Sequence, residues 1–141
     1  MLLLIILKMN VLFICYGNVG RSQMAQAFYN KYTNSNDAKS AGVGSEIEFR
    51  HKRPTPDIIK VMLEEGIDLS HSVVKQVTEA MVNEADKIVV LCDLDDCPKF
   101  ILNSEKMSHI LVADPYGVSM EYVRSVRDDI KKMVLGIIGS R

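Results

Sequence analysis

Residues 15–22 read C-Y-G-N-V-G-R-S and directly follow the apolar run V-L-F-I at 11–14. The run is short and partly β-branched, and it ends at a glycine-containing turn, which predicts a buried strand. From Ser22 to about Tyr32, apolar residues recur at helical spacing and predict a helix. A strand, a glycine-containing loop and a helix N-terminus form an anion-binding cradle, because amide N–H groups point inward and the helix dipole adds positive charge.

The remainder of the chain alternates predicted strands with predicted helices. Strands are expected at 38–41, 87–91 and 109–112, and helices at 56–66, 78–83 and 120–138. This alternation predicts an α/β fold: a single-domain, doubly wound sheet of four parallel strands with helices on both faces and the phosphate-binding loop after the first strand. Residues 1–141 are expected to form one domain. If Met9 rather than Met1 is the natural start, residues 1–8 are an N-terminal extension.

The composition is that of an ordinary globular protein. The 141 residues are 48% apolar and 25% charged, and the net charge of −1 favours neither nucleic acid nor a membrane as partner. Three cysteines, an odd number, do not form a secreted disulfide framework and favour a reducing, cytoplasmic location. The first apolar run is shorter than the roughly 20 residues of a membrane span and lacks the features of a signal peptide.

The loop contains the residue types that bind a tetrahedral oxyanion. Gly17 and Gly20 permit backbone angles that other residues resist, and the planar fork of Arg21 matches two oxygens of the anion. The nucleotide-binding pattern G-x-x-x-x-G-K-[ST] is absent from the sequence. The residues expected to bind the substrate are Tyr16, Gly17, Asn18, Val19, Gly20, Arg21 and Ser22.

Cys15 stands at the start of this cradle. The field that holds an oxyanion also favours a thiolate over a thiol, which turns the cysteine into a good nucleophile. Ser22 can donate a hydrogen bond to the thiolate, and Asn18 can fix the loop from within. The alternative is a buried structural cysteine beside an ordinary turn, but the pattern C-x5-R-S between a strand and a helix favours the catalytic interpretation.

Asp114 follows the last predicted strand, within A-D-P-Y-G at 113–117. Cys15, Cys92 and Asp114 all fall at the carboxyl ends of predicted strands, where open α/β sheets bind their ligands. Cleavage of a phosphate ester expels an oxyanion that needs a proton, and a carboxyl group can supply it and later activate water. An Asp-Pro pair is also common in turns, so the position after the strand is what favours a catalytic role.

Several stretches of the chain resemble the low-molecular-weight protein tyrosine phosphatases and the thioredoxin-coupled arsenate reductases that share their fold. The resemblance covers C-Y-G-N-V-G-R-S, S-A-G at 40–42, G-I-D-L-S-H at 66–71, the strand before Cys92, and A-D-P-Y-G. It extends over nearly the whole chain, and the loop together with the Asp-Pro pair is its most specific part.

The resemblance implies that Cys15 is the nucleophile, that Arg21 binds the oxyanion and that Asp114 is the general acid. It also implies a hydrogen-bonded network that shapes the loop, formed by Asn18, Ser22, Ser40 and His71. The chain departs from the family at Gly20, where a second cysteine is usual. A protective disulfide within the loop is therefore excluded.

The phosphatase and arsenate reductase interpretations differ in the role they give to Cys92 and Cys97, in V-L-C-D-L-D-D-C-P. The arsenate reductases pass oxidation from the nucleophile to two such cysteines, although they typically space them further apart. The sequence S-Q-M-A after Arg21 also favours the reductases, whereas His71 and Tyr116 favour the phosphatases. If the pair acts in redox chemistry, Cys92 is expected near Cys15 and Cys97 farther away, on a more mobile segment.

Other interpretations of the cysteine pair remain open. Cys92 can be a small core residue and Cys97 an incidental surface thiol, or Cys92 can protect a phosphatase from oxidation. A metal site is not expected, because two cysteines five residues apart with no nearby third ligand do not complete a tetrahedron.

The basic run Arg50-His51-Lys52-Arg53 lies in the long loop expected to border the cradle. Such a run is usually a solvated surface, and the alternative is that it attracts an anionic substrate. In that case Phe49 and Tyr16 can supply apolar walls for an aromatic leaving group.

The leading hypothesis is a cytoplasmic phosphatase that hydrolyses phosphotyrosine or aryl phosphate monoesters through a phosphocysteine. The second is an arsenate reductase that uses Cys15, Cys92 and Cys97 as a thiol relay to thioredoxin. A non-catalytic phosphate-binding module is the third, although a binder needs neither a thiolate nor an acid. Expected partners are a phosphorylated protein, a small phosphate ester or arsenate, with no cofactor, metal, nucleic acid or membrane.

Overall fold

A four-stranded parallel sheet forms the centre of the computed structural model, which describes residues 8–141. Its strands are β1 (Val11–Cys15), β2 (Ala38–Gly42), β3 (Lys87–Val90) and β4 (Met107–His109). They are arranged in the order β2-β1-β3-β4, and every neighbouring pair is parallel. Strand β1 is therefore central, and its carboxyl end at Cys15 lies between the carboxyl ends of β2 and β3.

Strand β1 is buried on both faces, which explains its unbroken apolar sequence. Because side chains alternate along a strand, Val11 and Phe13 enter the core on one face of the sheet. Leu12 and Ile14 enter the core on the other face. The sheet thus separates two apolar clusters, and each must be covered by helices.

Within residues 8–141, six α-helices lie between or after the strands. They are α1 (Arg21–Thr33), α2 (Ile47–Arg50), α3 (Pro56–Leu63), α4 (Glu79–Glu84), α5 (Lys99–Leu102) and α6 (Met120–Gly139). Helices α1, α3 and α6 pack together on one face, and α4 and α5 lie on the other. The predicted doubly wound α/β fold with helices on both faces is confirmed.

The last strand is shorter and begins earlier than predicted. The sequence predicted a strand over 109–112, but β4 spans Met107–His109 and pairs with Ile88–Val90. The error came from treating apolar Ile110 and Leu111 as buried, whereas both side chains are exposed. At the edge of a sheet, backbone pairing rather than apolar content determines where the strand lies.

Short elements inside the predicted loops were also missed. Helix α2 lies in the long loop after β2, and a 3-10 helix at Leu94–Asp96 precedes α5. Each spans four residues or fewer, so it is too short to produce a helical period in the sequence. None of the helices within residues 8–141 is long and apolar enough to cross a membrane. The predicted extension at residues 1–8 falls almost entirely outside the described residues.

Candidate active site

Cys15 ends β1, and the following loop wraps two hydrogen-bond donors around its sulfur. Ser22 Oγ lies 2.9 Å from Sγ, and the backbone N–H of Asn18 donates to Sγ at 3.2 Å. Asn18 aims its N–H inward by adopting a left-handed conformation with φ of 55°, which asparagine tolerates better than most residues. These donors, together with the N-terminus of α1, stabilise negative charge on the sulfur.

The left-handed residue of the loop is Asn18 rather than a glycine, since neither Gly17 nor Gly20 has a positive φ. Gly20 lies close to α3: a Cβ there would be 3.3 Å from the Ile58 side chain, a tight contact that Ile58 would have to relieve by a small shift. The smallest side chain lets α3 pack directly against the loop.

A chain of side-chain hydrogen bonds leaves the hydroxyl hydrogen of Ser22 available to Cys15. The side-chain nitrogen Nδ2 of Asn18 donates to Ser22 Oγ at 2.7 Å and to Ser40 Oγ at 3.0 Å. Ser40 in turn donates to Gln26 Oε1 at 2.6 Å. Because the Ser22 oxygen already accepts a hydrogen bond from Asn18, its own hydrogen is free to point at Cys15. The network therefore holds a donor towards the sulfur.

The side-chain oxygen of Asn18 is bound by Gln23 rather than by His71. Gln23 Nε2 donates to Asn18 Oδ1 at 3.1 Å and to the Val73 carbonyl at 3.0 Å, and the Lys75 backbone N–H donates to the same oxygen at 2.9 Å. His71 is exposed and makes no hydrogen bond to the network among the described residues. Its predicted place is wrong because Gln23, on the first turn of α1, reaches Asn18 from closer by.

Gln23 and Gln26 are the residues of this network that sequence reasoning missed. A signal was present for Gln26, which follows Ser22 by four residues and therefore shares its helix face. Gln23 is 2% exposed, although glutamine is rarely a core residue. Burial of a glutamine two residues after the loop arginine is what indicates such a supporting role.

Arg21 uses one end of its guanidinium as an anchor and leaves the other end for the cleft. Its Nη1 donates to the Val112 carbonyl at 2.9 Å and reaches the Leu91 carbonyl at 3.5 Å. Its Nη2 lies 3.8 Å from Asp114 Oδ2. The Asp114 side chain is 62% exposed, and its other oxygen accepts a hydrogen bond from the Tyr116 backbone N–H at 3.0 Å.

One cleft of about 660 Å³ brings together the three predicted catalytic residues, Cys15, Arg21 and Asp114. Most of the predicted substrate-binding residues line it as well: Tyr16, Gly17, Val19 and Gly20. Asn18 and Ser22 are buried behind the loop and do not line the cleft. They support the cradle from within.

The segment after β2 holds the loop backbone in place. Val43 N–H donates to the Cys15 carbonyl at 3.1 Å, and Gly44 N–H donates to the Tyr16 carbonyl at 2.9 Å. This close approach requires glycine on both sides of Val43, because a Cβ on Gly42 would lie 2.7 Å from the Tyr16 carbonyl oxygen and one on Gly44 would lie 2.8 Å from the Tyr16 ring. The cradle is therefore pre-organised by backbone contacts.

Cys92 and Cys97 lie together in the apolar cluster that contains Leu12 and Ile14. Burial, with smaller contributions from the neighbouring Cys97 and Cys15, raises the pKa of Cys92 to about 12. Burial also raises the pKa of Cys97. The proposed surface location of Cys97 is wrong: the residue is 8% exposed, because the turn after β3 folds it back onto the cluster.

Part of the basic run lines the cleft. Arg50, His51 and Arg53 contribute to its wall, whereas Lys52 does not. The ring of His51 contacts the ring of Tyr116 edge to face, with 6.4 Å between centroids. Phe49, predicted as an apolar wall, is 85% exposed and lies outside the lining.

The described residues contain no group of three or more His, Cys, Asp or Glu side chains placed to hold a metal ion. The charge of a bound oxyanion would instead be balanced by N–H groups of the loop and by Arg21. Loops of this kind bind phosphate without a metal ligand set.

Comparisons with known proteins agree with this geometry. The sequence model described as low molecular weight phosphotyrosine protein phosphatase matches residues 10–139. Arsenate reductase from Brevibacillus brevis is 33% identical over 126 residues, covering 87% of this chain and 89% of that protein. Arsenate reductase 1 from Staphylococcus epidermidis is 34% identical, covering 90% of this chain and 93% of that protein.

A solved structure shares the fold over almost the whole length. The low molecular weight protein tyrosine phosphatase from T. tengcongensis superposes with a TM-score of 0.81 at 25% identity, covering 94% of this chain and 99% of that chain. Proteins named for two different reactions therefore resemble this chain.

Proposed function

Because the chain belongs to the low molecular weight phosphotyrosine protein phosphatase family, we propose that it hydrolyses phosphotyrosine or other aryl phosphate monoesters. The observation that carries this proposal is the presence of Cys15, Arg21 and Asp114 around one cleft. A thiolate, an oxyanion-binding fork and a carboxyl group are the parts that cleavage of a phosphate ester through a covalent intermediate requires.

In the first step, the Cys15 sulfur attacks phosphorus, the S–P bond forms and the bond to the leaving oxygen breaks. Asp114 donates its proton to that oxygen, so that the leaving group departs as a neutral alcohol or phenol. The free end of the Arg21 guanidinium and the loop N–H groups stabilise the remaining phosphoryl oxygens. The ion pair of 3.8 Å between Arg21 and Asp114 puts the acid at the edge of the oxyanion site.

In the second step, water attacks the phosphocysteine and the Asp114 carboxylate accepts its proton. Inorganic phosphate is released, and the electron pair of the S–P bond returns to Cys15 as a thiolate. The donors from Ser22 and Asn18, at 2.9 and 3.2 Å, stabilise that leaving thiolate. The same hydrogen bonds therefore assist both the attack and the release.

The proposal is tested by assaying the purified protein with phosphotyrosine and phenyl phosphate, and by trapping the intermediate. Acid quenching during turnover should yield a protein heavier by one phosphoryl group, with peptide mapping locating it on Cys15. Release of phosphate without any phosphocysteine would contradict the covalent mechanism. Absence of hydrolysis with every aryl ester would contradict the proposed activity.

Arsenate reduction is the second candidate, and the burial of Cys92 and Cys97 in one cluster beside β1 favours it. In this reaction the Cys15 thiolate attacks arsenic and forms an S–As bond, and one arsenate oxygen leaves as water after protonation. The Cys92 thiolate then attacks the Cys15 sulfur, so that a Cys15–Cys92 disulfide forms, the S–As bond breaks and arsenic leaves as arsenite with the electron pair of that bond. Cys97 then attacks Cys92, and a dithiol such as thioredoxin reduces the resulting Cys92–Cys97 disulfide.

The thiol of Cys92 is a weakness of this candidate, because its pKa of about 12 leaves little thiolate at neutral pH. Arsenate turnover should be measured with thioredoxin and its reductase, using Cys97→Ser as the matched variant. Substantial turnover that disappears in Cys97→Ser would establish the relay and replace the phosphatase proposal. Turnover with aryl phosphate but none with arsenate would exclude the reductase.

A further inference from the structure

We infer that Arg50 and Arg53 make the cleft selective for a phosphorylated peptide that carries carboxylates beside the phosphorylated residue. This inference concerns the substrate of the same cleft and rests on the proposed function only for its turnover measurement. The two arginines would bind the flanking carboxylates, while the loop and Arg21 would bind the phosphate.

The two arginines form part of the wall of the catalytic cleft. Arg50 is the last residue of α2 and Arg53 follows three residues later, and both line the cleft that contains Cys15. The Thr55 backbone N–H donates to the Val19 carbonyl at 3.2 Å, which holds the end of this segment against the phosphate-binding loop. The cationic side chains are thus attached next to the cradle.

Arg50 and Arg53 differ from Arg124 and Arg127 in that they have no carboxylate partner among the described residues. Arg124 and Arg127 form ion pairs with Glu64 at 2.9 and 2.7 Å. Within residues 8–141, no carboxylate lies within 4.0 Å of the Arg50 or Arg53 guanidinium.

The phosphate itself does not account for these two cations. The loop N–H groups and the free end of Arg21 already surround the position next to Cys15. Both arginines are exposed, and a guanidinium fork binds a carboxylate through two parallel hydrogen bonds. Apart from the proposed acid Asp114, Asp57 is the one carboxylate among the described lining residues, so the two arginines outnumber it and charge complementarity favours a substrate with anionic groups outside its phosphate.

The shape of the cleft favours a peptide over a compact small molecule. Its volume of about 660 Å³ exceeds what a single phosphorylated side chain fills, and its lining includes the exposed rings of Tyr16 and Tyr116. Aromatic residues and arginine are the types enriched where peptides and proteins bind. Carboxylates on either side of a phosphotyrosine would fall near these side chains.

The expected contribution of each contact is modest, because exposed ion pairs in water contribute about two- to fivefold in an equilibrium constant. Two such contacts should together give a preference of about 4- to 25-fold. Salt should weaken it, since added ions screen exposed charges.

The test compares two phosphotyrosine peptides of equal length, one with glutamates on both sides of the phosphotyrosine and one with glutamines. The ratio of kcat/KM for the two peptides is measured in the wild type, in the double variant Arg50→Gln with Arg53→Gln, and in Lys52→Gln. Lys52 is the matched control, because it carries the same charge in the same segment but does not line the cleft. The ratio should fall to about one in the double variant and persist in Lys52→Gln.

A binding measurement with Cys15→Ser separates this inference from the proposed activity. Preferential binding of the glutamate peptide, lost in the arginine variants, supports the inference even if the wild type hydrolyses no ester. Equal binding of the two peptides overturns the inference while leaving any hydrolysis of phenyl phosphate intact. An equal loss of preference in Lys52→Gln also overturns it, because the effect would then be general attraction between charges.

Discussion

Cys15 and Cys92 both lie at the carboxyl edge of neighbouring parallel strands, yet their surroundings differ. Cys15 is the last residue of β1, and Cys92 lies two residues after the end of β3. Each of the two cysteines is 2% exposed. Cys15 receives hydrogen bonds from Ser22 and from the Asn18 backbone. Cys92 is packed among apolar side chains such as Ile14, and burial raises its pKa to about 12.

This difference shows that burial alone does not decide the chemistry of a thiol. Removal from water disfavours the thiolate of Cys92, whereas the loop after β1 places hydrogen-bonding groups around the Cys15 sulfur. The strands place both sulfurs at the edge of the sheet where ligands bind, and in the proposed mechanism the connecting loop makes Cys15 the nucleophile.

The largest expected effect comes from changing Cys15 itself. Cys15→Ser should reduce hydrolysis of aryl phosphates to background, because a serine hydroxyl in the same cradle stays protonated and is a much weaker nucleophile. The fold and the binding of phosphate should persist, which circular dichroism and calorimetric titration can check. Turnover close to that of the wild type would refute the assignment of the nucleophile.

The next largest effect is expected from the proposed general acid Asp114, which lines the same cleft as Cys15. Asp114→Asn should slow hydrolysis of phenyl phosphate by about 100-fold or more, the usual contribution of a positioned acid. It should affect para-nitrophenyl phosphate much less, since that leaving group departs without a proton. Equal losses with the two esters would indicate that Asp114 is structural.

Removing a donor should make the surroundings of Cys15 more like those of Cys92. Ser22→Ala deletes a hydrogen bond of 2.9 Å to the sulfur and should lower kcat/KM about 10- to 100-fold, the range for a hydrogen bond to a charged group. Ser125→Ala, which removes an exposed hydroxyl on α6, is the matched control. Equal activity of the two variants would mean that the donor at Ser22 is dispensable.

The pH dependence of the rate at which Cys92 is alkylated tests whether burial raises the pKa of its thiol. Its pKa is raised from an ordinary value of 9.0 to about 12, so its thiolate should increase about tenfold for each pH unit between pH 8 and 10. The rate at which a small neutral reagent labels Cys92, followed by peptide mapping, should rise accordingly without a plateau. A plateau near pH 9 would show that the thiol titrates like one in water.

The smallest effect on catalysis is expected from Cys92→Ser. Hydrolysis of aryl phosphates should stay within about twofold of the wild type, because the proposed mechanism uses no second thiol. Stability to urea should nevertheless fall by about 1–3 kcal/mol, since a hydroxyl is placed in an apolar cluster. A large loss of phosphatase activity in a folded Cys92→Ser protein would link the two cysteines in one mechanism.

The residues of the loop could be predicted from the sequence because their chemistry is local. The stretch from Cys15 to Ser22 contains the sulfur, the fork and the hydroxyl within one strand-to-helix connection. Spacing along eight residues therefore determines which groups meet. The alternation of strands and helices gave the parallel sheet for the same reason, since each element has its own period.

The supporting network could not be predicted in full, because it depends on how distant segments meet. Gln23 and His71 were both available to bind Asn18, and only the packing of the segment that carries Val73 shows that Gln23 does so. The burial of Cys97 likewise follows from a short turn after β3, which has no period in the sequence. Contacts between residues far apart in sequence are what pattern analysis lacks.

The hydrogen bond from Arg21 to the Val112 carbonyl also sets where the chain can change in length. The same guanidinium forms an ion pair with Asp114, two residues after Val112. Both ends of the segment from Val112 to Asp114 therefore contact the Arg21 side chain. A single inserted residue between Val112 and Asp114 would move the carboxylate about 3.3 Å along the chain, away from a group that is fixed in place. Gly117 is exposed and has open space around it, so insertions after it leave the interval unchanged. Relatives of this protein should therefore vary in length after Gly117 and preserve the two-residue interval before Asp114.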